Sequence, residues 1–166
     1  MIIFITGGVK SGKSRRALDL AIAEWKPSAQ NPVSFIATAE ALDGEMKTRV
    51  MRHQEERRRL AGEGALTLIE EPLELDRALA AAGERALVDC IPMWINNLMY
   101  NKREEDFPRI LDSFIAGLKS CVIVSNETGL GNIPFDENTR RYNLLLAEAN
   151  RKIAAAADTV ELMVAG

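Results

Sequence analysis

A glycine-rich segment close to the N-terminus limits what this chain can fold into more than any other feature. The segment reads Gly7-Gly8-Val9-Lys10-Ser11-Gly12-Lys13-Ser14 and fits the pattern GxxxxGK[ST]. An apolar run over residues 2–6 precedes it, and a helix-forming stretch begins at Lys13. In this context the pattern predicts a phosphate-binding loop, because its backbone N–H groups and the helix N-terminus both face phosphate oxygens. The alternative is a chance glycine turn, which the flanking patterns disfavour.

Two side chains of this loop are expected to carry chemistry. Lys13 is expected to reach the outer phosphates of a nucleoside triphosphate, and Ser14 to bind Mg²⁺. Asp89 follows the apolar run 86–88, and open α/β sheets bind ligands at the carboxyl ends of their strands. Asp89 is therefore our candidate for the carboxylate that holds the magnesium together with Ser14. The alternative for Asp89 is an ordinary strand-end or capping aspartate.

Apolar runs alternate with helical stretches along the whole chain. Strands are predicted at residues 2–6, 33–38, 66–70, 86–90, 121–125 and 160–164, and helices at 13–25, 43–60, 73–82, 92–100, 104–119 and 137–157. The strands are apolar without strict alternation, as in a sheet that helices cover on both faces. We therefore predict a three-layer α/β sandwich around a mainly parallel sheet, folded as one domain over residues 1–166.

Composition excludes several classes of protein. Of the 166 residues, 47% are hydrophobic and 27% charged, which is typical of a globular domain. A net charge of −3 argues against sequence-independent nucleic-acid binding. The N-terminus lacks a basic leader and no apolar run reaches the ~18 residues of a membrane span, so a cytoplasmic protein is expected.

Cys90 and Cys121 adjoin apolar runs and are expected to be buried thiols, not a disulfide or a zinc site.

The chain has a single histidine within a charged stretch. Arg49, His53 and Arg57 are spaced i, i+4, i+8, so on a helix they share one face, with Glu45 one turn earlier. Two guanidinium groups beside one imidazole could hold a phosphate and keep the imidazole neutral and nucleophilic. The other interpretation is a solvated charged helix. Spacing alone favours the solvated charged helix.

Further sequence segments narrow the range of protein families that the chain can resemble. They are Phe35-Ile36-Ala37-Thr38-Ala39, Asp43-Gly44-Glu45-Met46, Glu70-Glu71-Pro72, Leu87-Val88-Asp89-Cys90, the residues Trp94, Asn97 and Leu98, and the run from Val124 through Ser125-Asn126-Glu127 to Pro134. Together with the loop and His53, they make the chain resemble the bifunctional adenosylcobinamide kinase/adenosylcobinamide-phosphate guanylyltransferases of cobalamin assembly and salvage. The resemblance covers nearly the whole chain.

The resemblance implies a RecA-like P-loop fold, a homotrimer and two reactions. A kinase step moves the γ-phosphate of ATP or GTP to the aminopropanol hydroxyl of adenosylcobinamide. A second step transfers GMP from GTP to adenosylcobinamide phosphate, giving adenosylcobinamide-GDP. In this family a histidine carries GMP covalently, and that residue corresponds to His53.

The same resemblance implies which residues contact the nucleotide. Besides the loop from Gly7 to Ser14, they are Ala37, Thr38, Ala39, Gln54, Glu55, Glu56, Arg57, Glu70 and Asp89. Three alternatives remain open: a monofunctional guanylyltransferase, a P-loop small-molecule kinase without a covalent intermediate, and a nucleotide-dependent regulatory or assembly protein.

Overall fold

The computed structural model describes residues 1–40, 51, 55, 59, 62, 64–131 and 133–166. In this part of the chain, one six-stranded sheet has the order β3-β2-β4-β5-β1-β6, and each pair of neighbouring strands is parallel. The strands are β1 (Ile2–Gly7), β2 (Val33–Ala37), β3 (Leu66–Glu70), β4 (Arg85–Asp89), β5 (Ser120–Val124) and β6 (Thr159–Met163). All six lie at the predicted places, with ends shifted by one residue or none.

The described helices are α1 (Lys13–Trp25), α2 (Leu75–Ala81), α3 (Ile91–Tyr100), α4 (Phe107–Ala116) and α5 (Glu137–Ala156). The predicted helix over 104–119 was wrong in its extent, since Glu104–Asp106 is a separate 3₁₀ turn. Pro108 suits the first turn of α4, and the helix ends as the Gly117 amide bonds the carbonyls of Ser113 and Phe114. Of the predicted helix 43–60, the described residues Met51, Glu55 and Arg59 are helical and exposed.

Helices cover both faces of the sheet. On one face, Ile3 and Ile5 pack with Ala17 and Leu18 of α1. On the other face, Phe4 belongs to a second core cluster that includes residues of α2, α3, α4 and α5. Adjacent strand residues point to opposite faces of the sheet. Because helices cover both faces, successive residues of a strand are mostly apolar, which explains why the strands do not alternate between apolar and polar residues. The predicted three-layer α/β sandwich is confirmed.

The strand register brings the predicted site residues to one edge of the sheet. Ala37 is in register with Glu70 on one side and with Asp89 on the other, and Asp89 is in register with Val124. These residues lie at the carboxyl ends of four neighbouring strands. The phosphate loop begins at the same edge, where β1 ends at Gly7.

The two cysteines differ in burial. Cys121 is buried in β5, and burial raises the pKa of its thiol. Cys90 is only half-buried, because it follows the last residue of β4 at the open edge of the sheet, so the expectation of a buried thiol was wrong for it. Among the described helices, none is long and apolar enough to cross a membrane.

Candidate active site

The phosphate loop turns tightly between β1 and α1. Lys10 has a φ of 57° and Gly12 a φ of 86°, both in the left-handed region. Gly12 tolerates this conformation without a steric penalty and accepts the hydrogen bond from the Arg16 amide that starts α1, at 2.9 Å. The loop therefore leads directly into the N-terminus of α1, as the sequence pattern predicted.

Lys13 lies inside this loop, with only 7% of its surface exposed. Its Nζ donates hydrogen bonds to the carbonyl oxygen of Gly8 and, at 3.4 Å, to Ser11 Oγ. Burial lowers the pKa of Lys13, while the nearby Cys90 and Asp89 oppose that shift. The ammonium group is thus fixed where phosphate oxygens would replace its loop partners, and the lost hydration favours an anionic ligand.

Ser14 and Asp89 meet across the sheet edge. Ser14 Oγ donates to Asp89 Oδ1 at 3.3 Å, so the first turn of α1 contacts the end of β4. A hydroxyl and a carboxylate side by side are the oxygen ligands that Mg²⁺ takes beside nucleotide phosphates. The donor set therefore fits the predicted metal, with Lys13 next to it.

Thr38 joins β2 to the chain beyond β4. Its buried hydroxyl donates to the carbonyl oxygen of Cys90 at 2.6 Å and accepts from the Cys90 amide at 2.9 Å. Its own amide donates to the Asp89 carbonyl at 3.3 Å. Both capacities of the hydroxyl are therefore used within the protein, and Thr38 positions the backbone at Asp89.

Asn97 is a site residue whose role was not predicted from the sequence. It is buried in α3, and its Nδ2 donates to the carbonyl oxygens of Thr38 at 2.7 Å and Pro72 at 3.1 Å. One amide thereby joins the segments that follow β2 and β3 to α3. The available signal was a polar residue inside the apolar run from Ile91 to Leu98.

Glu127 is a second such residue. Its amide donates to the Gly7 carbonyl at 2.9 Å, which fixes the segment after β5 beside the start of the phosphate loop. Asn150 of α5 supports this segment, since it accepts from Ser125 Oγ at 2.6 Å and donates to the Asn126 carbonyl at 2.9 Å. The signal was the position of Glu127 just past an apolar strand.

The remaining predicted residues are less closely grouped. Glu70 ends the edge strand β3 and is exposed, Ala37 and Ala39 are half-buried, and Glu55 is exposed on a helix. Lining of the nucleotide site by Glu70 and Glu55 stays a prediction. The predicted residues His53, Gln54, Glu56 and Arg57, together with Arg49, lie outside the described residues.

A parallel sheet with a phosphate loop after β1, a buried loop lysine and an adjacent Ser–Asp pair defines a P-loop nucleotide-binding α/β protein. The family model described as "Cobinamide kinase / cobinamide phosphate guanyltransferase" matches residues 3–166. The chain therefore belongs to this family, and it is an enzyme with the kinase and guanyltransferase activities that the description names.

Curated relatives agree along the full length. The bifunctional adenosylcobalamin biosynthesis protein CobP of Pseudomonas aeruginosa is 38% identical, over 98% of this chain and 92% of that protein. Two proteins named bifunctional adenosylcobalamin biosynthesis protein CobU are 30% identical in Escherichia coli and 32% identical in Salmonella typhimurium; each alignment covers 100% of this chain and 97% of the relative. A KaiC-like protein of Pyrococcus horikoshii superposes with a TM-score of 0.49 and 17% identity, over 97% of this chain and 69% of that one.

Proposed function

We propose that the chain phosphorylates adenosylcobinamide with ATP or GTP and then transfers GMP to the product through a guanylyl-histidine at His53. The observation that carries the proposal is that Lys13 and Ser14 of the phosphate loop converge with Asp89 at the carboxyl ends of the strands. A triphosphate bound there has its charge opposed by Lys13 and by the loop amides.

In the kinase step, the aminopropanol hydroxyl oxygen attacks the γ-phosphorus, and the bond from that phosphorus to the β–γ bridging oxygen breaks. The hydroxyl proton passes to solvent, and the nucleoside diphosphate departs. Lys13 and the loop amides hold the phosphates in place and stabilise the charge that develops on the leaving group. Ser14 and Asp89 would hold Mg²⁺, which spreads the charge on the phosphates when bound.

In the guanylyl step, an imidazole nitrogen of His53 attacks the α-phosphorus of GTP, and pyrophosphate leaves. A phosphate oxygen of adenosylcobinamide phosphate then attacks the same phosphorus, the N–P bond breaks, and adenosylcobinamide-GDP forms. Covalent catalysis suits this step because it avoids one direct displacement between two polyanions. Arg49 and Arg57, at helical spacing from His53, would oppose the phosphate charge.

The proposal also covers the wider site and the assembly. The nucleotide contacts would be Ala37, Thr38, Ala39, Gln54, Glu55, Glu56, Arg57, Glu70 and Asp89, in addition to the loop. The enzyme would act as a homotrimer in the cytoplasm, where both triphosphates are available. The resemblance of the sequence to the family supports these assignments.

The decisive experiment incubates the protein with α-labelled or γ-labelled GTP, with and without adenosylcobinamide. The proposal expects α-label on the protein without the corrinoid, and γ-label on the corrinoid when it is present. Transfer of γ-label without any protein labelling would support a small-molecule kinase. Protein labelling without γ-transfer, when ATP also fails as donor, would support a monofunctional guanylyltransferase. Neither label moving would support a regulatory protein.

A further inference from the structure

A cavity of about 590 Å³ opens beside the nucleotide site, between α3 and the start of α5. Its lining includes Glu40, Met93, Asn96, Tyr100, Asn138 and Tyr142. A volume of this size falls in the range of about 300–1,000 Å³ that small-molecule sites have. Among the described residues, none of the nucleotide contacts proposed above lines it.

The cavity shares a wall with the nucleotide site. Asn97 lines the cavity and donates to the Thr38 carbonyl at 2.7 Å. Thr38 in turn bonds Cys90, which directly follows Asp89. Glu40, on the same wall, lies two residues after Thr38. A molecule seated in the cavity is therefore connected to Asp89 through Asn97, Thr38 and Cys90.

The chemistry of the lining distinguishes its ligand from a nucleotide. Glu40 and Glu104 contribute carboxylates to the wall. Arg141 lies 3.8 Å from one Glu104 oxygen, and no other ion pair of a lining carboxylate is found within the described ranges. Carboxylates repel polyphosphate and favour a neutral or cationic ligand.

The rest of the lining combines apolar and amide groups. Met93, Met99, Tyr100 and Tyr142 present thioethers and aromatic rings. The Tyr142 hydroxyl is a donor at neutral pH, and burial raises its pKa further, to about 12. Asn96 adds an amide that both donates and accepts. Cobinamide has matching chemistry: a macrocycle with apolar faces, a rim of primary amides and a cationic cobalt centre.

We propose that this cavity binds the amide-bearing rim of the corrinoid and directs its aminopropanol arm toward the phosphate loop. The inference rests on the proposed function, because it takes cobinamide to be the phosphate acceptor. Apolar side chains contact the macrocycle, Asn96 and Tyr142 pair with rim amides, and Glu40 opposes the positive charge of the cobalt centre.

Two substitutions test the cavity without removing core residues. Tyr100 is 71% exposed and Asn96 is also exposed, so Tyr100→Ala and Asn96→Ala are expected to fold normally. Leu144→Ala is the matched control, since Leu144 is 72% exposed on the neighbouring helix α5 and does not line the cavity. Equilibrium dialysis with cobinamide, followed by its visible absorbance, gives the dissociation constant directly.

We expect each cavity variant to raise the Kd of cobinamide and its KM in the kinase step about ten-fold, or about 1.4 kcal/mol. The KM for GTP and the labelling of the protein by α-labelled GTP should stay at the wild-type level, as should every value for Leu144→Ala. Wild-type corrinoid affinity in both cavity variants overturns the inference, and if the unsubstituted protein still phosphorylates cobinamide, the proposed function stands. Absence of cobinamide binding and turnover in the unsubstituted protein overturns both.

Discussion

Ser14 Oγ lies 3.3 Å from Asp89 Oδ1, although 75 residues separate the two in the chain and strand β5 lies between β4 and β1, the strand that leads into the phosphate loop. The contact joins the first turn of the helix after the phosphate loop to the end of β4. It holds a hydroxyl and a carboxylate together, so both oxygens can bind one cation with little reorganisation.

Substituting Asp89 separates a metal role from a structural one. Asp89→Asn keeps the size of the side chain and an oxygen that accepts from Ser14, but removes the charge. We expect the Mg²⁺-dependent affinity for GTP to fall about ten-fold or more, or about 1.4 kcal/mol, with little change in thermal stability. Calorimetric titration of GTP at several Mg²⁺ concentrations measures this. A lower Tm with unchanged Mg²⁺ dependence would show that Asp89 is structural.

Removing the loop lysine should impair both reactions. Lys13→Ala deletes the buried charge that faces the phosphates, and loss of one such stabilising group typically costs about 10²–10³ in kcat. Rates of γ-transfer and of GMP transfer are the measurements. Lys119→Ala is the control. Lys119 is exposed and directly precedes β5, so it lies at the amino ends of the strands, away from the phosphate loop. Normal rates in Lys13→Ala would contradict the assignment of the loop.

Thr38 offers a test of the tether between β2 and β4. Thr38→Val keeps the shape but leaves the Cys90 amide and carbonyl without the hydroxyl, which costs about 1–3 kcal/mol for buried groups. We expect Tm to fall by several degrees and GTP affinity to weaken, because Asp89 loses its support. Thr38→Ser retains the hydroxyl and should lose less stability. Equal Tm values for all three proteins would exclude this role.

The phosphate loop, the strands and the layer architecture could be predicted because apolar runs and glycine spacing are local signals. The order of the strands could not, since periodicity does not say that β5 lies between β1 and β4. For the same reason, the tether from Thr38 to Cys90 and the amide of Asn97 were missed. These contacts depend on side chains that meet only once the sheet is assembled.

The start of α4 shows where helix propensity fails to predict the structure. The acidic run Glu104–Asp106 has good helix formers, yet it forms a 3₁₀ turn, and Arg103 bonds both Asp106 and Glu74. The Arg103 partner lowers the pKa of Glu74. A tertiary ion pair thus sets the direction of the chain there, which propensity alone does not report.

We expect glycine to be required at position 7 for full stability, because Gly7 packs closely against β6. A Cβ at this position would lie 2.1 Å from the Met163 carbonyl oxygen, and the φ of 145° disfavours a side chain. Gly7→Ala must therefore displace β6 or the loop, at a cost of about 1–3 kcal/mol or more. For Gly8→Ala, no described atom lies within 4 Å of the new Cβ, so its stability should match the wild type. Urea unfolding compares the two, and equal midpoints would contradict the contact.

His53 divides the two proposed reactions. Because GMP transfer needs a nucleophile at the α-phosphorus and γ-transfer does not, His53→Asn should abolish labelling of the protein by α-labelled GTP and formation of adenosylcobinamide-GDP, yet retain γ-transfer to adenosylcobinamide. The label on the unsubstituted protein should be a phosphoramidate, stable to base and labile to acid. Gel autoradiography after acid and base treatment, with peptide mapping of the labelled residue, makes the measurement. GMP found on a lysine, or ample adenosylcobinamide-GDP formed by His53→Asn, would refute the histidine mechanism and leave the phosphate loop assignment intact.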